Sequence, residues 1–206
     1  MAEFIKIYEN AISNELCDKL MLEINTNPTI ATRADESWRR CLMLSYPNNL
    51  IIGSENIFNQ VKSQCRELFN KFKDDIGQNG GKGTLNFCSL IEKPNIILYI
   101  PNDKKQEMFH DHSDNWSQDS STRQVSVILY LNDVEEGGCT VFPYYNMSVK
   151  PKKGSILMFP SFYTYTHHAE PPISNPKYIM VTWIHFGNGS NGSNSDNGTK
   201  YFTYKF

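Results

Sequence analysis

The second half of the chain limits what it can fold into. Four runs there, NIILYI (95–100), QVSVILYL (124–131), SILMFP (155–160) and KYIMVTWIHF (177–186), are rich in β-branched and aromatic residues. Each has strand length. The connections NDVEEGG and KPKKG supply Asn, Asp, Pro and Gly, the residues that turn a chain between strands. No helical pattern alternates with these runs, which argues against a parallel α/β sheet and for an antiparallel sandwich or jelly roll. The class expected is mainly β with flanking helices that buttress one sheet.

The helices are expected in the first 75 residues. Ser13 is placed to cap a helix with Glu15 in its first turn, and Leu16, Leu20 and Ile24 recur at intervals of four with Cys17 and Met21 beside them. Ser54 is placed to cap a second helix, whose stripe is Phe58, Val61, Cys65, Leu68, Phe69 and Phe72. Both stripes read as packing faces. The stretch IGQNGGKGT (76–84) is a linker; its GGKG is too short and wrongly spaced for a phosphate loop. One domain is expected: a helical support region over 1–83, a jelly-roll core over 84–186, and 187–206 as a flexible Gly/Ser/Asn tract with YFTYKF returning as an edge strand.

Bulk properties narrow the partners. With 39% apolar and 20% charged residues and a net charge of −2, the chain has no broad basic field, so a nucleic-acid partner is not expected. No apolar run approaches the roughly 18 residues a transmembrane helix needs, so no membrane role is expected. The five cysteines are scattered and never form CxxC, which fits reduced thiols and a cytoplasmic location better than a disulfide scaffold or a zinc ribbon.

Chemistry concentrates in EMFHDHSDNW (107–116), and all five histidines lie between positions 110 and 185. On an extended strand, side chains two apart share a face, so His110, His112 and Asp114 would point one way. An imidazole and a carboxylate at that spacing can hold one ion. A histidine from a distant strand would complete a 2-His-1-carboxylate triad with coordination positions left open. Alone, HxD is a weak pattern, and His110 also offers HxH. A cupin pattern needs a glycine upstream of that pair and a glutamate downstream; Lys104, Trp116 and Ser117 stand there instead.

Three further strings follow in order: RQVSVILYLNDVEEGGCTVFP (123–143), VKPKKGSILMFP (149–160) and HHAEPPISNPKYIMVTWIHF (167–186). Together with HxD they closely resemble the catalytic domain of prolyl 4-hydroxylases, within the Fe(II)- and 2-oxoglutarate-dependent dioxygenases. The resemblance covers about ninety residues, Tyr99 to His185, and FIKIYENAISNELCDKL resembles the family's entry segment. It implies a double-stranded β-helix. It also implies His112, Asp114 and His167 as iron ligands, because Phe109 precedes His112 by three and His167 precedes Pro171 by four and Lys177 by ten. Lys177 is implied to bind the far carboxylate of 2-oxoglutarate, with Tyr99, Tyr130 and Thr140 around that cosubstrate and Arg123 and Trp183 near the substrate.

The implied reaction hydroxylates a prolyl residue of a protein or peptide, consumes O₂ and 2-oxoglutarate, and releases succinate and CO₂. Ascorbate dependence is implied by the same analogy. The rivals are a 2-oxoglutarate oxygenase acting on another side chain, a free amino acid or a nucleobase, and a non-catalytic jelly-roll binding module. Nucleobase dealkylases anchor the cosubstrate with arginine, where this chain has Lys177. His110, His168 and His185 read as surface groups or neighbours of the site, and Glu135 and Glu136 as a solvated turn. Two departures bear on substrate choice. Loop 102–108 is longer than in many relatives and is a candidate lid, and Asn175 replaces a glycine while tolerating a left-handed turn.

Overall fold

The computed structural model describes residues 2–77, 82–104, 106–187 and 203–205. Its framework is a large antiparallel sheet. Strands β1 (Lys6–Tyr8), β2 (Thr32–Asp35), β3 (Arg40–Ser45), β4 (Cys88–Glu92) and β5 (Asn95–Tyr99) come first in the chain. Then follow β6 (Phe109–His112), β7 (Arg123–Tyr130), β8 (Thr140–Phe142), β9 (Met147–Val149), β10 (Ile156–Pro160), β11 (His167–Ala169), β12 (Lys177–Phe186) and β13 (Thr203–Lys205). The large sheet runs β1-β10-β7-β12-β5-β3-β2, with β4 also on β12 and β13 on β4. The smaller sheet runs β6-β11-β8-β9. Two antiparallel sheets enclosing one cavity make the expected jelly roll.

Strand β12 is the axis of the large sheet. One edge pairs with β7 along its length; the other pairs with β5 from Lys177 to Val181 and then with β4 from Ile184 to Phe186. The sequence runs are apolar throughout because both faces of this sheet are covered. Ile96, Leu98, Val125, Val127, Leu129, Ile156, Met158, Met180 and Ile184 pack outward into a core shared with the helices. The alternate residues Ile97, Tyr99, Ile128, Tyr130, Leu157, Phe159, Ile179 and Val181 point inward and meet Phe142 and Val149 of the small sheet.

The helical layer follows the expected stripes. Helix α1 (Asn14–Thr26) buries Leu16, Cys17, Leu20 and Ile24, and the Ser13 hydroxyl caps it by accepting from the Leu16 N–H at 3.2 Å. Helix α2 (Ser54–Gly77) buries Phe58, Val61, Cys65, Phe69, Phe72 and Ile76. Ser54 is not the free cap the sequence suggests. It is the first helical residue, and its hydroxyl is spent on the Asn48 backbone, donating to the carbonyl at 3.0 Å.

The region 1–83 is not purely helical support, because β1, β2 and β3 belong to it and join the large sheet. Segment TRAD is polar and mostly exposed, so no burial pattern marks it as a strand; pairing with β3, itself held on β5, extends it. Of the YFTYKF return, Thr203–Lys205 is described and forms β13, on the edge of β4. The Gly/Ser/Asn tract and the centre of the 76–84 linker lie outside the described residues. Among those residues, no helix is long and apolar enough to cross a membrane.

Candidate metal and cosubstrate site

The site forms where the small sheet meets the mouth of the sandwich. Strand β6 delivers His112 and ends there; Asp114 lies in the turn beyond, and β11 pairs with β6 so that His167 faces His112. Each of the three offers one ligand atom, and these atoms lie within 4.8 Å of one another. The His112 Nε2 is 3.5 Å from Asp114 Oδ1, and the His167 Nε2 is 3.9 Å from Asp114 Oδ2.

Local hydrogen bonds fix which nitrogen points inward. The Nδ1–H of His112 donates to the His110 carbonyl at 2.8 Å, and that of His167 to the Tyr165 carbonyl at 3.1 Å. A carbonyl can only accept, so both rings carry a proton on Nδ1 and turn Nε2 toward Asp114. His110 is therefore used through its backbone, while its side chain is exposed. His168 faces the other side of β11, where its Nδ1 lies 2.7 Å from Asp111.

Electrostatics suit a cation. Burial pushes the His167 imidazole down to about 4, helped by the facing His112, so it is neutral at pH 7. Burial alone would raise the Asp114 carboxyl, but His167, His112 and the Ser126 hydrogen bond outweigh it and hold it well below the usual range. Ser126 Oγ donates to Asp114 Oδ2 at 2.5 Å and meets Ser161 Oγ at 2.9 Å. One carboxylate and two imidazoles, with further positions free, is the donor set of a mononuclear Fe(II) site open to other ligands.

The three ligands open into a cavity of about 500 Å³ that reaches Tyr99, Thr140, Ile179 and Lys177. Lys177 is fully buried, its Nζ has no hydrogen-bond partner, and it lies 5.5 Å from the centre of the Tyr99 ring. Burial pushes its ammonium down to about 8. A buried amine with nothing to bind fits an anion that the protein does not itself supply. Gly138 sits behind it with φ +72°, and a Cβ there would lie 3.5 Å from Lys177 Cδ and 3.1 Å from Val134. Tyr130 does not line the cavity; its hydroxyl donates to Thr140 Oγ1 at 2.8 Å, leaving the Thr140 proton to donate inward.

Arg123 and Trp183 line the cavity too, the guanidinium 3.5 Å from the centre of the indole. Their partner was not singled out from sequence. Glu92, 2% exposed, accepts from Arg123 Nη2 at 2.6 Å and Nε at 2.8 Å, and meets His185 Nε2 at 2.8 Å. Arg123 Nη1 also donates to the Asp114 carbonyl at 3.0 Å. His185 is thus not a surface group but buried within an ion-pair cluster. Of Glu92 and Ser126, only Ser126 carries a faint sequence signal, a polar residue between Val125 and Val127.

The remaining expectations fall as follows. Glu135 and Glu136 are exposed in their turn, with both N–H groups donating to Ser174 Oγ. Asn175 does not adopt a left-handed conformation; its amide donates to the Asp133 carbonyl at 2.8 Å instead. Loop 102–108, in which Lys105 lies outside the described residues, is anchored by buried Glu107 to Arg33 of β2.

Residues 95–185 match the family model of the 2OG-Fe(II) oxygenase superfamily. Within it, the similarity runs to prolyl 4-hydroxylases. "Probable prolyl 4-hydroxylase 7" of Arabidopsis thaliana is 24% identical over 93% of this chain and 66% of its own length. The viral collagen prolyl hydroxylase of Paramecium Bursaria Chlorella virus-1, solved with 2OG, superposes with a TM-score of 0.65 at 20% identity, covering 89% of this chain and 97% of that one. A Trichoplax adhaerens prolyl hydroxylase in complex with a hypoxia inducible factor peptide fragment gives 0.67 at 16% identity, covering 89% and 84%. The chain spans between 30% and 66% of the lengths of the first curated relatives it matches.

Proposed function

We propose that the chain is an Fe(II)- and 2-oxoglutarate-dependent dioxygenase that hydroxylates prolyl residues in a protein or peptide. The observation that carries this reading is the pairing of an open His112–Asp114–His167 donor set with the buried, unpartnered ammonium of Lys177 in one cavity. Fe(II) held by His112, Asp114 and His167 would supply O₂ activation, the chemistry that puts one oxygen atom into the substrate C–H bond and the other into succinate as 2-oxoglutarate loses CO₂. The protein's own work is positioning. Lys177 and the Thr140 hydroxyl bind the far carboxylate, the carbonyls of His110 and Tyr165 aim the imidazoles, and the apolar wall of Ile128, Ile179 and Val181 keeps water out.

The prolyl preference is supported by the names of the similar proteins, and the peptide substrate by the Trichoplax complex. Ascorbate dependence and a cytoplasmic setting that keeps the five free cysteines reduced belong to the same proposal. The test is succinate formation by the Fe(II)-loaded protein with proline-rich peptides, free amino acids or nucleotides, with and without ascorbate. Peptide-stimulated succinate is expected. Stimulation by nucleotides or free amino acids alone would replace the substrate, and no succinate with iron bound would favour the binding-module reading.

A further inference from the structure

The β2–β3 hairpin carries three arginines that are treated differently by their surroundings. Arg33 pairs with the buried carboxylate of Glu107, and Arg40 Nε lies 2.9 Å from Asp35. Arg39 has no carboxylate within salt-bridge reach among the described residues. Its guanidinium instead lies 4.6 Å from the centre of the Phe109 ring, its Nε is buried without an acceptor, and it lines the cavity.

The position of Arg39 is fixed on both sides. Its backbone forms a bridge with Phe109, and the His110 N–H donates to the Trp38 carbonyl at 2.8 Å, which staples the hairpin turn onto β6. Phe109 in turn stacks on the ligand ring of His112, with centroids 3.6 Å apart and planes 13° from parallel. The cation thus stands one ring beyond a metal ligand, at the mouth.

Charge balance shows what it lacks. In the loaded site a divalent ion and Lys177 are matched by Asp114 and a dicarboxylate, and Arg123 is matched by Glu92. Arg39 remains positive. We propose that Arg39 is a specificity-determining residue that selects polypeptide substrates carrying Asp or Glu close to the hydroxylated residue. An extended chain advances roughly 3.3 Å per residue, so an acid about two residues from the target covers the 4.6 Å and 3.6 Å steps from Arg39 through Phe109 to His112. The guanidinium fork would bind it bidentately, in a geometry lysine cannot match. This rests on the reading of the substrate as a polypeptide.

The test is a peptide series with one proline and Asp, Asn or Lys placed two residues to either side, scored as kcat/KM from succinate and hydroxylated product. The native protein is expected to prefer Asp over Asn about tenfold, with Lys poorest and the spread shrinking at high salt. Arg39→Gln should level the series and Arg39→Glu should invert it, with circular dichroism confirming that each is folded. Arg39→Lys, the least disruptive variant, should retain part of the preference. Equal rates on all three peptides, or an Asp preference that survives in Arg39→Gln, would overturn the inference and leave the prolyl reading intact. Succinate formation with no peptide hydroxylated would overturn both.

Discussion

Two buried clusters of histidine and carboxylate sit side by side in this sandwich and are built to opposite plans. In the Glu92–Arg123–His185 cluster each carboxylate oxygen has a donor, and the Nδ1 of His185 lies 2.9 Å from Thr122 Oγ1. It is closed. In the His112–Asp114–His167 cluster the outer nitrogens are tied to carbonyls, and two Nε2 atoms are turned on one carboxylate with Lys177 left unpaired beyond. It is open. The same residue types thus make scaffold in one place and a site in the other, and satisfaction of hydrogen bonds separates them.

The largest expected effect breaks the open cluster. His167→Ala should lose stoichiometric metal binding, measured by metal analysis after dialysis, and activity by at least about a thousandfold. His168→Ala, on the opposite face of β11, should keep both. A reversal of the pair would assign the ligand to the wrong histidine. Next comes the closed cluster: Glu92→Gln removes the carboxylate charge that faces buried Arg123 and should cost about 3–5 kcal/mol in chemical denaturation. That loss should appear whether or not metal is present, which separates scaffold from site.

Lys177 sharpens the contrast through pH. With the free ammonium held down to about 8 by burial, it is charged below that pH and can pair with 2-oxoglutarate. Above it, binding must first take up a proton, so affinity measured calorimetrically on the metal-loaded protein should fall as pH rises past 8 and stay level below. Ser126→Ala should weaken metal affinity about tenfold, since it removes the 2.5 Å bond that orients Asp114. The smallest effect is His110→Ala, which keeps the carbonyl that aims His112 and should change metal affinity less than twofold, within about 0.4 kcal/mol.

What could be read in the sequence was whatever repeats at short range. The four apolar runs, the two helical stripes and the Ser13 cap all follow from local periodicity, and the structure keeps them. The three candidate ligands and Lys177 are singled out by ordered motifs, and all four line one cavity. What escaped depends on cross-strand partners. Glu92 is defined by Arg123, 31 residues on, and His185 by Glu92, so neither looks unusual in its own segment. Strand β2 is polar and held by its neighbour, and Arg39 matters only because the hairpin folds onto Phe109. Strand alternation also misled at His110, because β6 ends at His112 and Asp114 reaches the site from a turn.

That the open cluster and Lys177 form one oxygenase site is tested most directly by isotope labelling. The Fe(II)-loaded protein would be given 2-oxoglutarate, a proline-containing peptide and labelled O₂, and both products read by mass spectrometry. We expect one labelled atom in succinate and one in the hydroxylated peptide, in equal amounts, with both signals absent in His167→Ala. Unlabelled succinate, or succinate formed equally well by His167→Ala, would contradict it.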